Sequence, residues 1–358
     1  MLFHRKYRKM PTNKEAHSTM ISHDANVQPL IKKICKGKKH IKLTIGTYVN
    51  NEKSIHVFNE TGEIPNENDT YAIGSVTKTF VGALLAKYVY EGKMSLDDPI
   101  SKYISGLDGG ECYPTLKRLA THTSGYPVHL GANVFKAILD EVGEEFGIGG
   151  GYLPYRMDLK KMTHLVQRNK RKDMDYPWKY SNFNYALLGY AIGIASGAGY
   201  WRTMDDFLSN DLGLAHSYTG IKPQNLHGFN WRNKDIGNWS FDKNLMAPCG
   251  DISATTDDLL TYAKINMYEE RPYLALSHEK HVASKHFDMG LGWFKMKGRA
   301  GAIFHTGETS TLQCWLMIEK QYKCAFVIMS NYDCGKTLEP LALAVGQVVS
   351  WQIEKLTI

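Results

Sequence analysis

Strand-like runs lie at opposite ends of this chain. Near the start, IKLTIGTYV (41–49) and SIHVF (54–58) flank the turn-like NNEK, as the two arms of a hairpin would. Near the end, AIFHTG (302–307), LQCWLMI (312–318) and CAFVIMS (324–330) read as three further strands. Between the two groups the residues from about 113 to 250 are rich in helix-like stretches broken by Gly and Asn. Strands at both ends with a helical middle imply a sheet that the C-terminal portion completes, with the middle inserted beside it. The expected division is an N-terminal arm (1–30), an α/β domain made of 31–112 and 250–358, and an inserted helical domain (113–249).

Two helices frame this plan. After Ser75, the segment VTKTFVGALLAKYVYEG carries apolar residues at Val76, Phe80, Val81, Leu84, Leu85, Tyr88 and Val89, which is helical spacing, and Gly92 is a natural stop. PLALAVGQVVSWQIEKL closes the chain as an amphipathic helix. With 358 residues, of which 43% are hydrophobic, the chain can bury a large core. No run of 18 or more apolar residues occurs, so no membrane-spanning helix is expected.

Charge and cysteine content exclude other classes. The net charge of +7 is concentrated in His4, Arg5, Lys6, Arg8 and Lys9 and in Lys32, Lys33, Lys36, Lys38, Lys39 and Lys42. No zinc-finger or RNA-recognition pattern accompanies these clusters, so they read as solvated faces and no nucleic-acid partner is expected. The six cysteines (35, 112, 249, 314, 324 and 334) form no CxxC pair, and reduced, buried thiols are expected. The basic start lacks the apolar stretch of a secretory leader, which points to a cytoplasmic protein, or to a secreted or cell-envelope one if a leader is missing from this chain. GxSxG and HExxH are both absent, and so are the Walker and dinucleotide glycine patterns. His278-Glu279-Lys280-His281 falls one residue short of the zinc motif and reads as a surface loop. No metal or cofactor is expected.

Three short motifs carry chemistry. In Ser75-Val76-Thr77-Lys78 the serine opens a helix and the lysine lies one turn on, on the same face. An amine that can accept a proton beside a hydroxyl is what a serine nucleophile needs. The same spacing at Ser240–Lys243 and Ser277–Lys280 opens no long helix. Tyr180-Ser181-Asn182 supplies a phenol able to relay a proton and an amide able to hold a carbonyl. Tyr48-Val49-Asn50 has that spacing inside an expected strand and reads as a strand tyrosine. His305-Thr306-Gly307 ends the strand AIFHTG. There a backbone N–H can face an oxyanion, and glycine lets substrate approach closely. His129-Leu130-Gly131 has the same spacing in a loop.

Taken in this order, the motifs resemble those of the serine penicillin-recognising enzymes: class C β-lactamases, low-molecular-weight DD-peptidases, and related D-aminopeptidases and esterases. The flanks SLDDPISKYI (95–104), LATHTSGYP (119–127), YSNFNYALLGYAIG (180–193), CGDISATTDDLLTYA (249–263) and MGLGWF (289–294) extend the resemblance from about residue 41 to 350. It implies an α/β (α+β) fold of the β-lactamase/transpeptidase type, with an antiparallel sheet flanked by helices. It also implies that Ser75 is acylated and that Lys78 takes its proton jointly with Tyr180, which protonates the leaving group. Asn182 would bind the substrate amide, and the N–H groups of Ser75 and Glu308 would form the oxyanion hole. His305 stands where many relatives have lysine. A histidine there is expected to change charge near neutral pH, the alternative being a neutral ring of fixed charge that donates one hydrogen bond. Glu308 adds negative charge beside the pocket. The activity implied is that of a serine hydrolase on small D-amino-acid-containing peptides or amides. A β-lactamase, a small-ester esterase and a non-catalytic penicillin-binding sensor are the alternatives.

Overall fold

The computed structural model describes residues 20–107, 112–128, 130, 157–238, 240–241, 244–299 and 301–356. The two ends of the chain do meet in one sheet. Its strands are β1 (Leu43–Val49), β2 (Glu52–Asn59) and β3 (Gly62–Ile64) from the first end. From the second come strands Val282–Ala283, Phe287–Met289, Phe294–Met296, Ala302–Glu308, Gln313–Glu319 and Cys324–Ser330. All neighbours are antiparallel. Strand β1 lies against Cys324–Ser330, with Leu43 opposite Ser330 and Tyr48 opposite Ala325, so the first and last strands of the sheet's sequence adjoin in its interior.

Both faces of this sheet are covered, which explains why β1 and Cys324–Ser330 are buried at every residue instead of at alternate ones. On one face Leu43, Ile45, Phe326 and Ile328 pack with Val27, Ile31 and Ile34 of helix α1 (Val27–Cys35) and with Leu341 and Val345 of the C-terminal helix Leu338–Leu356. On the other face Val327, Leu316 and Ile318 pack against Leu259, Leu260 and Ala263 of helix Thr256–Met267. Ile21 and Val27, within the N-terminal arm of residues 1–30, are buried. The basic cluster His4–Lys9 lies outside the described residues.

The hairpin turn is tighter than NNEK suggested. Asn50 and Asn51 alone form it, with φ of 52° and 65°, and β2 begins at Glu52. Two successive left-handed residues are what a two-residue hairpin requires, and asparagine tolerates that conformation. Of the inserted segment 113–249, the described residues are helical at Leu116–Ala120, Leu159–Arg168, Asn182–Ser196 and Tyr200–Asp206. Beyond these come short strands, of which Tyr218–Thr219 joins Ile252–Thr255 and Thr70–Ala72 in a second, three-stranded sheet.

Helix α2 (Thr77–Tyr90) follows Ser75 as expected and is buried nearly all round. Its seam with the loop at Leu291 is very close: a Cβ on Gly82 would stand 2.0 Å from the Leu291 carbonyl oxygen, and one on Gly292 would stand 2.3 Å from that of Lys78. Both contacts are with backbone, which cannot step aside cheaply. Gly82→Ala is therefore expected to destabilise the fold by about 1–3 kcal/mol, the usual cost of overpacking. Urea denaturation followed by circular dichroism checks this, and an unchanged midpoint would show that the seam yields.

Candidate active site

Strand Thr70–Ala72 runs into a single 3-10 turn, Gly74–Val76, and then into α2. Gly74 adopts φ 52° and has the Glu308 amide nitrogen 2.7 Å from where a Cβ would stand. Any other residue there would be both strained and blocked. The turn leaves Ser75 half-buried between the buried residues Gly74 and Val76.

One turn along α2, the side chain of Lys78 is wholly buried. Its Nζ donates to Ser75 Oγ at 2.9 Å and to the backbone oxygen of Cys249 at 2.5 Å. The Tyr180 hydroxyl reaches in from a separate segment and donates to the same Ser75 Oγ at 2.8 Å. Lys78 Nζ also lies 4.9 Å from the centre of the Tyr180 ring. Three residues far apart in sequence thus converge on one oxygen. Asn182 is half-buried and begins the helix Asn182–Ser196, so it is placed beside Tyr180 by the first turn of that helix. The hydroxyl of the intervening Ser181 faces away, donating to the Pro127 carbonyl at 3.0 Å.

The strand Ala302–Glu308 passes alongside the serine. A Cβ on Gly307 would stand 1.9 Å from the Ile73 oxygen and 3.1 Å from the Ser75 nitrogen, so glycine alone permits this approach. Glu308 follows at the strand end, exposed. Partial desolvation and the neighbouring Asp333 hold its carboxyl above the ordinary range. The amides of Ser75 and Glu308 therefore belong to two segments in contact. Thr306 is half-buried, and its carbonyl accepts from Nδ1 of His305 at 2.7 Å.

His305 corrects an expectation. Its imidazole is fully buried, and burial together with the nearby Lys78 ammonium pushes its pKa down to about 3. It is therefore neutral throughout the physiological range and does not switch charge near pH 7. The hydrogen bond to Thr306 places the ring proton on Nδ1, so Nε2 is left as an acceptor.

Two participants were not foreseen. Cys249 contributes a backbone carbonyl, which no side-chain motif announces. His122, within the stretch LATHTSGYP, is buried with its ring 4.6 Å from that of Tyr180. The motif look-alikes resolve differently. Ser277 is buried and donates to the Leu274 carbonyl, while Lys280 pairs with Asp288 at 3.0 Å, so the two do not meet. Tyr48 is a buried strand residue bonded to Asn51. Lys243, His129 and Gly131 lie outside the described residues. His278 is not in a surface loop: it is buried, its Nε2 meets Asn266 and its Nδ1 meets Glu269, both at 3.0 Å. Among the described residues no cluster of three or more metal-binding side chains occurs, and no helix is long and apolar enough to cross a membrane. All six cysteines are unpaired, and all but Cys112 are buried.

Comparison with known proteins places this arrangement. A β-lactamase of Pseudomonas fluorescens is 26% identical over 239 residues, which cover 63% of this chain and 60% of that protein. The chain thus spans less than two thirds of the length of that relative. A class C β-lactamase structure superimposes with a TM-score of 0.74 at 18% identity, covering 94% of this chain and 97% of the other. A D-stereospecific amidohydrolase from Streptomyces sp. does so with a TM-score of 0.68 at 18% identity, covering 89% and 97%. These likenesses establish the antiparallel α/β fold. The β-lactamase family model matches residues 47–348, and the chain belongs to the β-lactamase family of serine hydrolases.

Proposed function

We propose that the protein hydrolyses small amides or peptides containing a D-residue, through an acyl-enzyme on Ser75. The observation that carries this reading is the convergence of Lys78 Nζ and Tyr180 Oη on Ser75 Oγ. With one proton removed from the Lys78–Tyr180 pair, that pair accepts the serine proton as Oγ attacks the substrate carbonyl. The tetrahedral oxyanion is held by the N–H groups of Ser75 and Glu308. The same pair returns the proton to the leaving amine as the C–N bond breaks, and Asn182 holds the substrate amide. Water then attacks the ester, activated by the same pair, and Ser75 is freed. Thr306 and Gly307 keep the strand edge open to the acyl group.

A neutral His305 and the acidic Glu308 favour substrates without a carboxylate at the leaving-group end. That sets D-amino-acid amides before D-Ala-D-Ala peptides or β-lactams. The same neutrality supports a second reading, a small-ester esterase. A hydrolysis panel of D-amino-acid amides, D-Ala-D-Ala peptides, nitrocefin and p-nitrophenyl esters decides. Turnover of the amides alone or first is expected. Labelling of Ser75 by a β-lactam or phosphonate without turnover of anything would point instead to a sensor.

His305 supplies a sharper test. Since it is already neutral well below pH 5, its charge contributes nothing to the pH dependence between pH 5 and 8. With Glu308, whose carboxyl is held above the ordinary range, replaced by Gln, profiles of kcat/KM for an uncharged ester and a carboxylate-bearing ester should run parallel there. His305→Lys should raise kcat/KM for the carboxylate-bearing ester by roughly tenfold relative to the uncharged one, equivalent to about 1.4 kcal/mol. A divergence near pH 6.5 that persists in Glu308→Gln would mean that His305 titrates after all.

A further inference from the structure

We propose that His122 is a positioning residue that holds the Tyr180 phenol on Ser75, an inference that rests on the hydrolase reading above. Tyr180 lies at the end of an irregular segment, between the helices Leu159–Arg168 and Asn182–Ser196. No strand or helix fixes its backbone on the N-terminal side. His122 does so at both neighbours. Its main-chain oxygen accepts the Lys179 N–H at 2.9 Å, and its Nδ1 accepts the Ser181 N–H at 3.1 Å. The residues before and after Tyr180 are thus tied to one histidine. Between them the imidazole lies against the phenol ring, centres 4.6 Å apart and planes tilted by 34°. The next residue extends the clamp, as the Thr123 carbonyl accepts the Tyr176 N–H at 2.9 Å.

His122 has φ 61°, in the left-handed region that few residues other than glycine adopt and in which asparagine, aspartate and histidine are the commoner exceptions. The clamp needs the neutral ring with its proton on Nε2, because a protonated Nδ1 would face the Ser181 N–H donor to donor. Burial and the neighbouring Lys78 hold the ring in that neutral form.

The test uses two substitutions compatible with the backbone. Glycine accepts the positive φ and removes both ring and acceptor. Asparagine tolerates it and offers Oδ1 close to where Nδ1 stood. With a p-nitrophenyl ester, His122→Gly should lower kcat roughly 30-fold or more with KM within about threefold, as loss of alignment does. His122→Asn should restore most of the loss. In a Tyr180→Phe background, His122→Gly should cost less than about threefold, because nothing remains to be positioned.

A His122→Gly enzyme with wild-type kcat overturns the proposal, and so does an equal loss in both backgrounds. Should the glycine variant fail to fold, a folded His122→Asn that loses as much as Tyr180→Phe overturns it, and one that retains most of kcat supports it. Wild-type protein that neither turns over the ester nor is labelled at Ser75 by a fluorophosphonate fails the hydrolase reading itself. Labelled, active wild type with an indifferent His122 fails only the clamp.

Discussion

Ser75→Ala should lower kcat by a factor on the order of 10³ or more, with the fold intact. The expectation follows from what surrounds the oxygen. Lys78 and Tyr180 both direct their donors at Ser75 Oγ. Ser277, the nearest imitation, is buried and spends its hydroxyl on the Leu274 carbonyl. Removal of the side chain leaves the flanking amides of Ser75 and Glu308 in position, so binding of a carbonyl can survive while covalent chemistry cannot. Kinetics on whichever substrate the panel identifies, with mass spectrometry after fluorophosphonate treatment, checks both halves. Wild-type turnover by the alanine variant would remove Ser75 from the mechanism, as would an adduct mapped to another serine.

The second large effect concerns the proton-transfer pair. Lys78→Ala and Tyr180→Phe should each cost roughly 10²–10⁴-fold in kcat, the range general acid–base groups contribute. The double variant should be little worse than the poorer single one, because the two groups serve one proton on one oxygen. The Lys78 ammonium group also rests on the Cys249 carbonyl at 2.5 Å, so its loss leaves a buried acceptor unmet. Lys78→Ala is therefore expected to lose some stability that Tyr180→Phe retains. Measuring kcat and the urea midpoint for all three variants separates the contributions. Fully additive losses in kcat would show that the residues act in separate steps.

Part of this site is legible in the sequence. Ser75 and Lys78 share a helix, and helical periodicity fixes which residues meet across one turn. Tyr180 and Asn182, and His305 to Gly307, stand in short motifs at the starts and ends of elements, where local pattern is strongest, and Glu308 enters through the family resemblance. What escaped were properties that depend on packing. The burial of His305 depends on residues distant in sequence, and its neutrality follows from that burial, so a histidine expected to titrate turned out not to. The Cys249 carbonyl is a main-chain group without any residue signature. His122 lies within LATHTSGYP, which carries no catalytic pattern of its own, and its two hydrogen bonds to Lys179 and Ser181 join residues far apart in sequence. His278–His281, one residue short of HExxH, reads as a surface loop, yet His278 is buried against Asn266 and Glu269. Likewise, the Asn50-Asn51 turn was visible as a turn but not in length, since turn residues also continue a strand edge.

The adjoining of β1 and Cys324–Ser330 has a consequence for synthesis. During translation β1 emerges early and can pair with β2 at once, but its other edge waits for a partner made last. That partner lies roughly 280 residues downstream, so at about 5–20 residues per second the edge stays open for about 14–56 s. All seven of its residues are buried in the finished protein, so the waiting hairpin presents apolar side chains and unpaired backbone together. Such an edge is a template for another nascent chain. The sheet can close only after Ser330 has left the ribosome. A chain broken off before Cys324 retains every residue of the catalytic constellation and still lacks the strand that would complete its sheet.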